Sequence, residues 1–322
     1  MTDIAIIGAG LAGLTLANAL RGESRIVVFE KSRGIGGRMA TRYAGDYEFD
    51  HGAQYFTASS ERFRAFLSDK IAAGLIAEWP AEVARIGGGT EPAKTRYVAA
   101  PRMNALCKAM AEGVEVRRQA EIARIERGGD RWRLVSVEDA DLGTFDWVVS
   151  TAPAPQSAKL LPEVFSGHAA IERTVMTGCF AVMLGFETPV DLPWPMAKGA
   201  DGEAVGTLAL NSAKPGRPAG CSVLIQSSNA WAEAHLEDDR ETVSRALIAA
   251  ASEVAGVDLS RADHTALHRW RYAATQTPAG ADCLLDADNR LAACGDWRLG
   301  GRVEAAFTSA DRLGAALLGL LG

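Results

Sequence analysis

Residues 3–31, DIAIIGAGLAGLTLANALRGESRIVVFEK, leave the chain little freedom in how it can fold. Ile4, Ala5, Ile6 and Ile7 form an unbroken apolar run, the pattern of a strand buried on both faces of a parallel sheet. Gly8, Gly10 and Gly13 come next in the order G-x-G-x-x-G, and Leu11, Leu14, Thr15, Ala17 and Leu20 then recur at helical spacing. A second apolar run ends in Glu30. Each part has a job in holding a dinucleotide. Gly8 permits the tight turn out of the strand, Gly10 lets backbone approach a pyrophosphate, and Gly13 lets helix and strand pack closely. The N–H groups around Leu11 and Ala12 open the helix, where free donors and the helix dipole favour an anion. Glu30 lies 22 positions after Gly8, near the offset of about 20 at which a carboxylate accepts from a ribose hydroxyl. Strand, glycine turn, helix, strand and acid together predict a Rossmann-like dinucleotide site.

The segment after Glu30 separates the candidate dinucleotides. A nicotinamide-binding unit would pass into another crossover helix, whereas here a glycine-rich loop, residues 31–41, carries Arg33 and Arg38. Guanidinium and backbone donors in such a loop suit a return over the pyrophosphate. The run E-K-x-x-x-x-G-G-R, with Glu30, Lys31, Gly37 and Arg38, resembles the FAD-binding segment of the amine-oxidase and phytoene-desaturase superfamily. That resemblance implies non-covalent FAD, with Lys31, Gly37 and Arg38 added to the cofactor set.

Bulk properties exclude other classes. A net charge of −6 with no basic block argues against nucleic acid and anionic membrane surfaces. The five cysteines are scattered with no C-x-x-C, which fits reduced thiols and no metal site. The first strand is too short for a secretory segment. Residues 313–322 are too few to span a bilayer and read as one face of a last helix. A cytoplasmic protein is expected; its oligomeric state stays open.

Residues 47–57 alternate into a strand and then meet Gly52 in the run F-D-H-G-A-Q-Y-F-T. This resembles the D-x-G-A-Q-Y-F-T motif of the renalase-like flavoproteins, a branch of the same superfamily. The resemblance implies that Gly52, Ala53, Gln54 and Tyr55 pass beside the flavin ring, with glycine letting backbone lie against it. On the residues alone, the alternative for Tyr55 is a core side chain, and His51 reads as a packing or capping histidine rather than a base.

Further along, residues 61–77 show helical spacing, and residues 96–106 lead into a helix with Pro101 near its start. Arg96 and Tyr97 face substrate, solvent or core. Residues 114–137 read as β structure with the turn of a hairpin at 127–130. In the superfamily such a meander includes an apolar residue whose backbone meets the adenine; by resemblance this is Ile122. Residues 146–153 read as a buried strand. Residues 155–264 bring strands at 179–186, 205–210 and 221–226 and a helix over 240–254, joined by Pro- and Gly-rich connections that include Lys214 to Pro218. The run H-R-W-R-Y-A, from His268 to Ala273, matches the renalase-like pattern. Strand alternation puts His268, Trp270 and Tyr272 on one side and Arg269 and Arg271 on the other. His268, Trp270 and Arg271 are candidate pocket residues beside Gln54 and Tyr55, one face walling a ring and a cation answering phosphate. The close, C-G-D-W-R-L-G-G-R-V-E, resembles the superfamily's C-terminal FAD motif. By that resemblance Gly295 and Asp296 meet the ribityl chain, and the N–H groups of Arg302 and Val303, at a helix start, stabilise charge on reduced flavin.

The expected fold is α/β (α+β overall): a Rossmann-like FAD-binding domain of the amine-oxidase type with an inserted substrate domain of mixed sheet plus helices. The cofactor domain spans 1–56, 100–154 and 280–322, and the substrate domain spans 57–99 and 155–279. The renalase-like resemblance implies an oxidase of 2- or 6-dihydro-NAD(P). Hydride passes to flavin N5, NAD(P)+ leaves, and oxygen or a quinone accepts the electrons, oxygen giving hydrogen peroxide. No side chain is assigned acid–base work. Flavin amine oxidation and a non-catalytic flavin or nucleotide sensor are the alternatives, and the sequence separates neither the isomers nor NAD from NADP.

Overall fold

The computed structural model describes residues 1–321; Gly322, the last residue of the expected C-terminal segment, lies outside the described residues. By contact the chain divides into two units, residues 1–37, 107–176 and 275–322 in the first and 38–106 and 177–274 in the second. Residues 38–56 and 100–106, grouped with the cofactor domain by sequence, cluster with the second unit, and 155–176 and 275–279 with the first.

The first unit is built on a six-stranded sheet ordered Leu284–Asp286, Leu291–Ala293, Trp147–Ser150, Thr2–Ile7, Ser24–Glu30, Glu115–Arg118. Its strands run parallel except the antiparallel edge Leu284–Asp286. Side chains alternate across the first strand. Ile4 and Ile6 face the helices Leu11–Ala19 and Val303–Leu321, packing with Leu16, Leu313 and Leu317. Ala5 and Ile7 face the three-stranded sheet Ile122–Gly128, Arg131–Ser136, Asp141–Phe145, packing with Trp132, Leu134 and Phe145. Both faces are covered, which is why the strand reads as a continuous apolar run. Leu313 and Leu317 are 0% exposed, and burial of each contributes about 1.5–3 kcal/mol.

The second unit holds a six-stranded sheet ordered His264–Thr277, Val175–Phe186, Cys221–Ser227, Val205–Leu210, Met196–Lys198, Val83–Arg85. One face packs Val182, Leu184 and Ile225 on the helix Arg240–Ala255 through Val243, Leu247 and Ala251. That helix is capped by Asp239, which accepts from Thr242 N, and ends at Gly256 with φ +67°, as a left-handed C-terminal glycine should. The other face packs Met183 and Leu224 on Phe49, so it carries the segment leading into the F-D-H-G-A-Q-Y-F-T run.

Two elements depart from sequence expectation. The helix expected over 61–77 is Glu61–Ala72; Gly74 takes φ +71°, and Ile76–Glu78 pairs as a strand with Tyr97–Ala99. The helix expected to open near Pro101 is Ala105–Met110. In both cases local spacing gave way to strand pairing or a turn that only distant partners fix.

Candidate functional site

The glycine cradle lies wholly in the first unit. Gly8 adopts φ +110° and donates to Phe29 O, while a Cβ at Gly13 would fall 2.0 Å from Gly8 O. Only glycine allows both the turn and that helix–strand approach. The loop after Glu30 returns: Gly36 N donates to Ala9 O at 3.0 Å, and Gly36 bridges to Gly10. Two glycine stretches therefore run side by side, walled by backbone rather than side chains. Glu30 is 7% exposed and accepts from Ala9 N (2.9 Å) and Ser32 N (2.8 Å). Each oxygen keeps a second lone pair for another donor. Lys31 makes only a half-exposed 4.0 Å contact with Glu121. The side chain of Ile122 belongs to the core.

The Gly-Asp turn comes directly after the strand Leu291–Ala293. Ser309 Oγ accepts from Gly295 N, Asp296 is 6% exposed, and Trp297 donates to Ala152 O at 3.0 Å. Arg302 and Val303 stand at the start of the C-terminal helix, whose first-turn N–H groups have no acceptor within the helix. Arg298, in the same turn, is 0% exposed, and its Nε, Nη1 and Nη2 have no hydrogen-bond partner among the described residues. Burial lowers its pKa. Sequence reasoning passed over it, since nothing local marks an arginine there as buried.

The motif loop lies in the second unit. A Cβ at Gly52 would fall 2.0 Å from Arg38 O, and Ala53 N donates to that oxygen at 2.8 Å. Gly52 is thus required by backbone packing, a reason beyond the flat ring expected from the resemblance. Gln54 is 6% exposed; its amide donates to Asp50 O (2.7 Å) and Gly52 O (3.0 Å) and accepts from Lys214 Nζ (3.0 Å). These contacts hold the Gln54 side chain within its own loop. Trp270 Nε1 donates to His51 O at 2.9 Å, and the His51 ring stacks on Trp270 (centroids 5.0 Å) and meets His268 edge-on (4.9 Å). Burial, then the mutual proximity of the two rings, lowers the His51 pKa to about 4; burial, then Arg42 and Arg240, does the same for His268. Both are neutral at pH 7. Arg271 lies on the other side of the strand, as alternation expects, and with Arg269 it pairs with Glu237, at 2.6 Å for Arg271.

Behind the loop lies a charged cluster that the sequence did not disclose. Asp50 accepts from Arg217 (2.6 and 3.1 Å), Lys214 Nζ (3.4 Å), Thr41 Oγ1 (2.8 Å) and Met103 N (3.0 Å). Lys214 also donates to Asn211 Oδ1 at 2.9 Å. Burial would raise the Asp50 pKa, but Lys214 and Arg217 bring it down to about 2. Burial lowers Lys214 to about 8 against the opposing pull of Asp50. The Pro- and Gly-rich connection at residues 214–218 thus also clamps the motif loop. Two cations flanking Pro215 and Gly216, without an acid beside them, were the signal available.

Residues 6–69 match the NAD(P)-binding Rossmann-like domain, and residues 93–318 match the family of flavin containing amine oxidoreductases. The second match covers more than half of the chain. The chain belongs to the flavin containing amine oxidoreductase family. Similar solved structures include an Exiguobacterium protein provisionally named a protoporphyrinogen oxidase, with TM-score 0.76, 12% identity and 98% of each chain covered. A cofactor-redesign triple mutant of putrescine oxidase is also similar (0.72, 14%, 99% of each). Wild-type putrescine oxidase bound to putrescine gives 0.68 at 13% identity, also over 99% of each chain. At these identities the likeness is one of fold. FAD is the family's cofactor, and the cradle fits it: a backbone-walled glycine turn, an acid at the end of the second strand, and a buried guanidinium with no acceptor of its own. Among the described residues no helix is long and apolar enough to cross a membrane.

Proposed function

We propose that this flavin-dependent oxidoreductase oxidises 2- or 6-dihydro-NAD(P), releasing NAD(P)+. The observation that carries the reading is the union of the two most specific sequence runs. D-H-G-A-Q-Y-F-T and H-R-W-R-Y-A, over 200 residues apart, interlock through the Trp270 to His51 hydrogen bond and the His51, His268 and Trp270 rings. The chemistry supplied by bound FAD is two-electron acceptance at N5, with reoxidation by oxygen to hydrogen peroxide.

The chain's own residues supply binding and orientation. Gly8, Gly10, Leu11, Ala12 and Gly13 hold the pyrophosphate, and Glu30 and Lys31 the adenosine ribose, with Ile122 backbone at the adenine. Gly37 and Arg38 close over the phosphates, Gly295 and Asp296 hold the ribityl chain, and Arg302 and Val303 N–H groups the flavin pyrimidine edge. Arg298 offers its three nitrogens to an acceptor of the cofactor. Gly52, Ala53 and Tyr55 line the ring side, and Gln54 keeps that loop in shape. A dihydropyridine gives up hydride without losing a proton, so no base is needed. Neutral His51 and His268 suit this: they neither protonate an acid-labile donor nor repel the cationic product.

The alternative, amine oxidation, draws support from the family and from the putrescine oxidase likeness. Anaerobic mixing with borohydride-reduced NAD, pure 4-dihydro NADH and a panel of primary amines separates the readings by flavin bleaching. Fast bleaching by the reduced mixture alone is expected. Bleaching by an amine alone would overturn the proposal, and bleaching by none would favour a sensor.

A further inference from the structure

In the second unit a group of cations surrounds Tyr55, and hydride transfer to the flavin leaves it unused. Arg96 is 4% exposed; its Nε and Nη2 have no hydrogen-bond partner among the described residues. Nη1 makes long contacts, 3.4 Å each, with Ala81 O and Lys94 O. The Arg96 guanidinium stands 5.4 Å from the centre of the Tyr55 ring, and Lys198 Nζ stands 5.2 Å from it. Burial alone would raise the pKa of the Tyr55 hydroxyl; hydrogen bonding and charge from Lys198, then Arg96 and Lys94, bring it below its ordinary value instead. A nearby carboxylate, Glu91, is held by Arg85 at 2.8 Å, with Lys198 and Lys94 adding to the fall in its pKa. Glu91 thus answers to Arg85, Lys198 and Lys94, while Tyr55 is met by Lys198, Arg96 and Lys94.

These residues come from separate places in the chain. Tyr55 lies in the motif loop, Arg96 just before the strand Tyr97–Ala99, and Lys198 at the end of the strand Met196–Lys198. A buried guanidinium with an unused Nε–Nη2 edge is a costly arrangement for packing alone. It presents the two parallel donors that match a phosphate bidentately. A hydroxyl and an ammonium beside it complete an anion site of the kind that fixes a phosphate rather than a free ammonium.

We infer that Arg96, Lys198 and the Tyr55 hydroxyl form a subsite for a phosphate of the dinucleotide substrate. This rests on the dihydro-NAD(P) reading and deepens it: the substrate is selected by its phosphate as well as its ring. A primary ammonium would be repelled by the same charges.

The test uses the FAD-loaded protein and the variants Arg96→Met and Lys198→Met, which retain bulk at each position. KM for 6-dihydro-NAD is compared with KM for the phosphate-free 6-dihydronicotinamide riboside. Loss of one charge-assisted hydrogen bond should raise the dinucleotide KM about 10-fold or more in each variant. The riboside KM should move far less, and the limiting rate of flavin reduction should change little. Equal increases for both donors, or none for the dinucleotide, would overturn the subsite. Should the wild type be reduced by neither donor, the substrate reading itself fails. Calorimetric titration with inorganic pyrophosphate then decides the subsite alone: binding weakened in both variants sustains an anion site, and undiminished binding removes it. Lys198→Met, at a half-buried side chain, keeps the test open if Arg96→Met fails to fold.

Discussion

Replacing Lys214 and replacing Asp50 perturb one buried cluster with opposite charge consequences. The cluster sets two cations, Lys214 and Arg217, against one carboxylate, with side chains 0%, 2% and 1% exposed. Lys214→Met leaves a balanced pair: Asp50 keeps both Arg217 contacts, Thr41 and Met103 N. It loses the bonds to Gln54 and Asn211, about 1.5–3 kcal/mol each. Against this it relieves the burial penalty expressed in the fall of the Lys214 pKa from 10.5 to about 8, about 3 kcal/mol. The net loss is about 3 kcal/mol or less. Asp50→Asn instead leaves two buried cations facing one another, a cost of about 3–5 kcal/mol. Release of the lysine proton at pH 7 caps that cost near 5 kcal/mol, the work of neutralising an ordinary lysine, from its reference pKa of about 10.4. Urea unfolding at pH 7 with a fixed excess of FAD, followed by tryptophan fluorescence, measures both. The wild type carries a further mark. Between pH 8 and 10.5 its unfolded chain binds a proton that folded Lys214 has lost, so stability rises with pH in that window. Lys214→Met should abolish the rise. Equal losses for the two variants, or a larger loss for Lys214→Met, would refute the charge argument.

Acid sensitivity should appear in two stages. His51 and His268 have folded pKa values of about 4, below the ordinary 6.5, so their contribution is complete above 6.5 and lost as pH falls toward 4; that of Asp50 is lost between 3.8 and about 2, and unfolding titrations that are flat from pH 7 to 4 would contradict the histidine assignment. Glu30→Ala removes the ribose acceptor and should raise the FAD dissociation constant about 10-fold or more; full flavin retention on dialysis would count against Glu30 as a cofactor ligand. Arg298→Met removes a buried cation that has no protein acceptor, so the FAD-free protein should be no less stable while FAD binding weakens about 10-fold. Destabilisation of the FAD-free protein with unchanged FAD affinity, read by calorimetry, would instead mark a structural partner.

The cradle is legible in the order of the residues. Gly8, Gly13 and Glu30 act through neighbours within about thirty positions, and turn, helix start and acid offset are local in spacing. The two-faced sheet is legible for the same reason, since Ile4 to Ile7 must be covered on both sides. Strand alternation likewise separates Arg271 from His268 and Trp270, because a period of two is itself a local property. Long-range packing settled the rest. Lys214 meets Asp50 across 164 positions and Gln54 across 160, and Trp270 meets His51 across 219. Whether Gln54 points into a pocket or back into its own loop, and whether Arg96 and Lys198 are surface charges or one anion site, depends on which distant partner desolvates them. Burial of a charge is a property of the assembled neighbourhood, and no spacing along the chain encodes it.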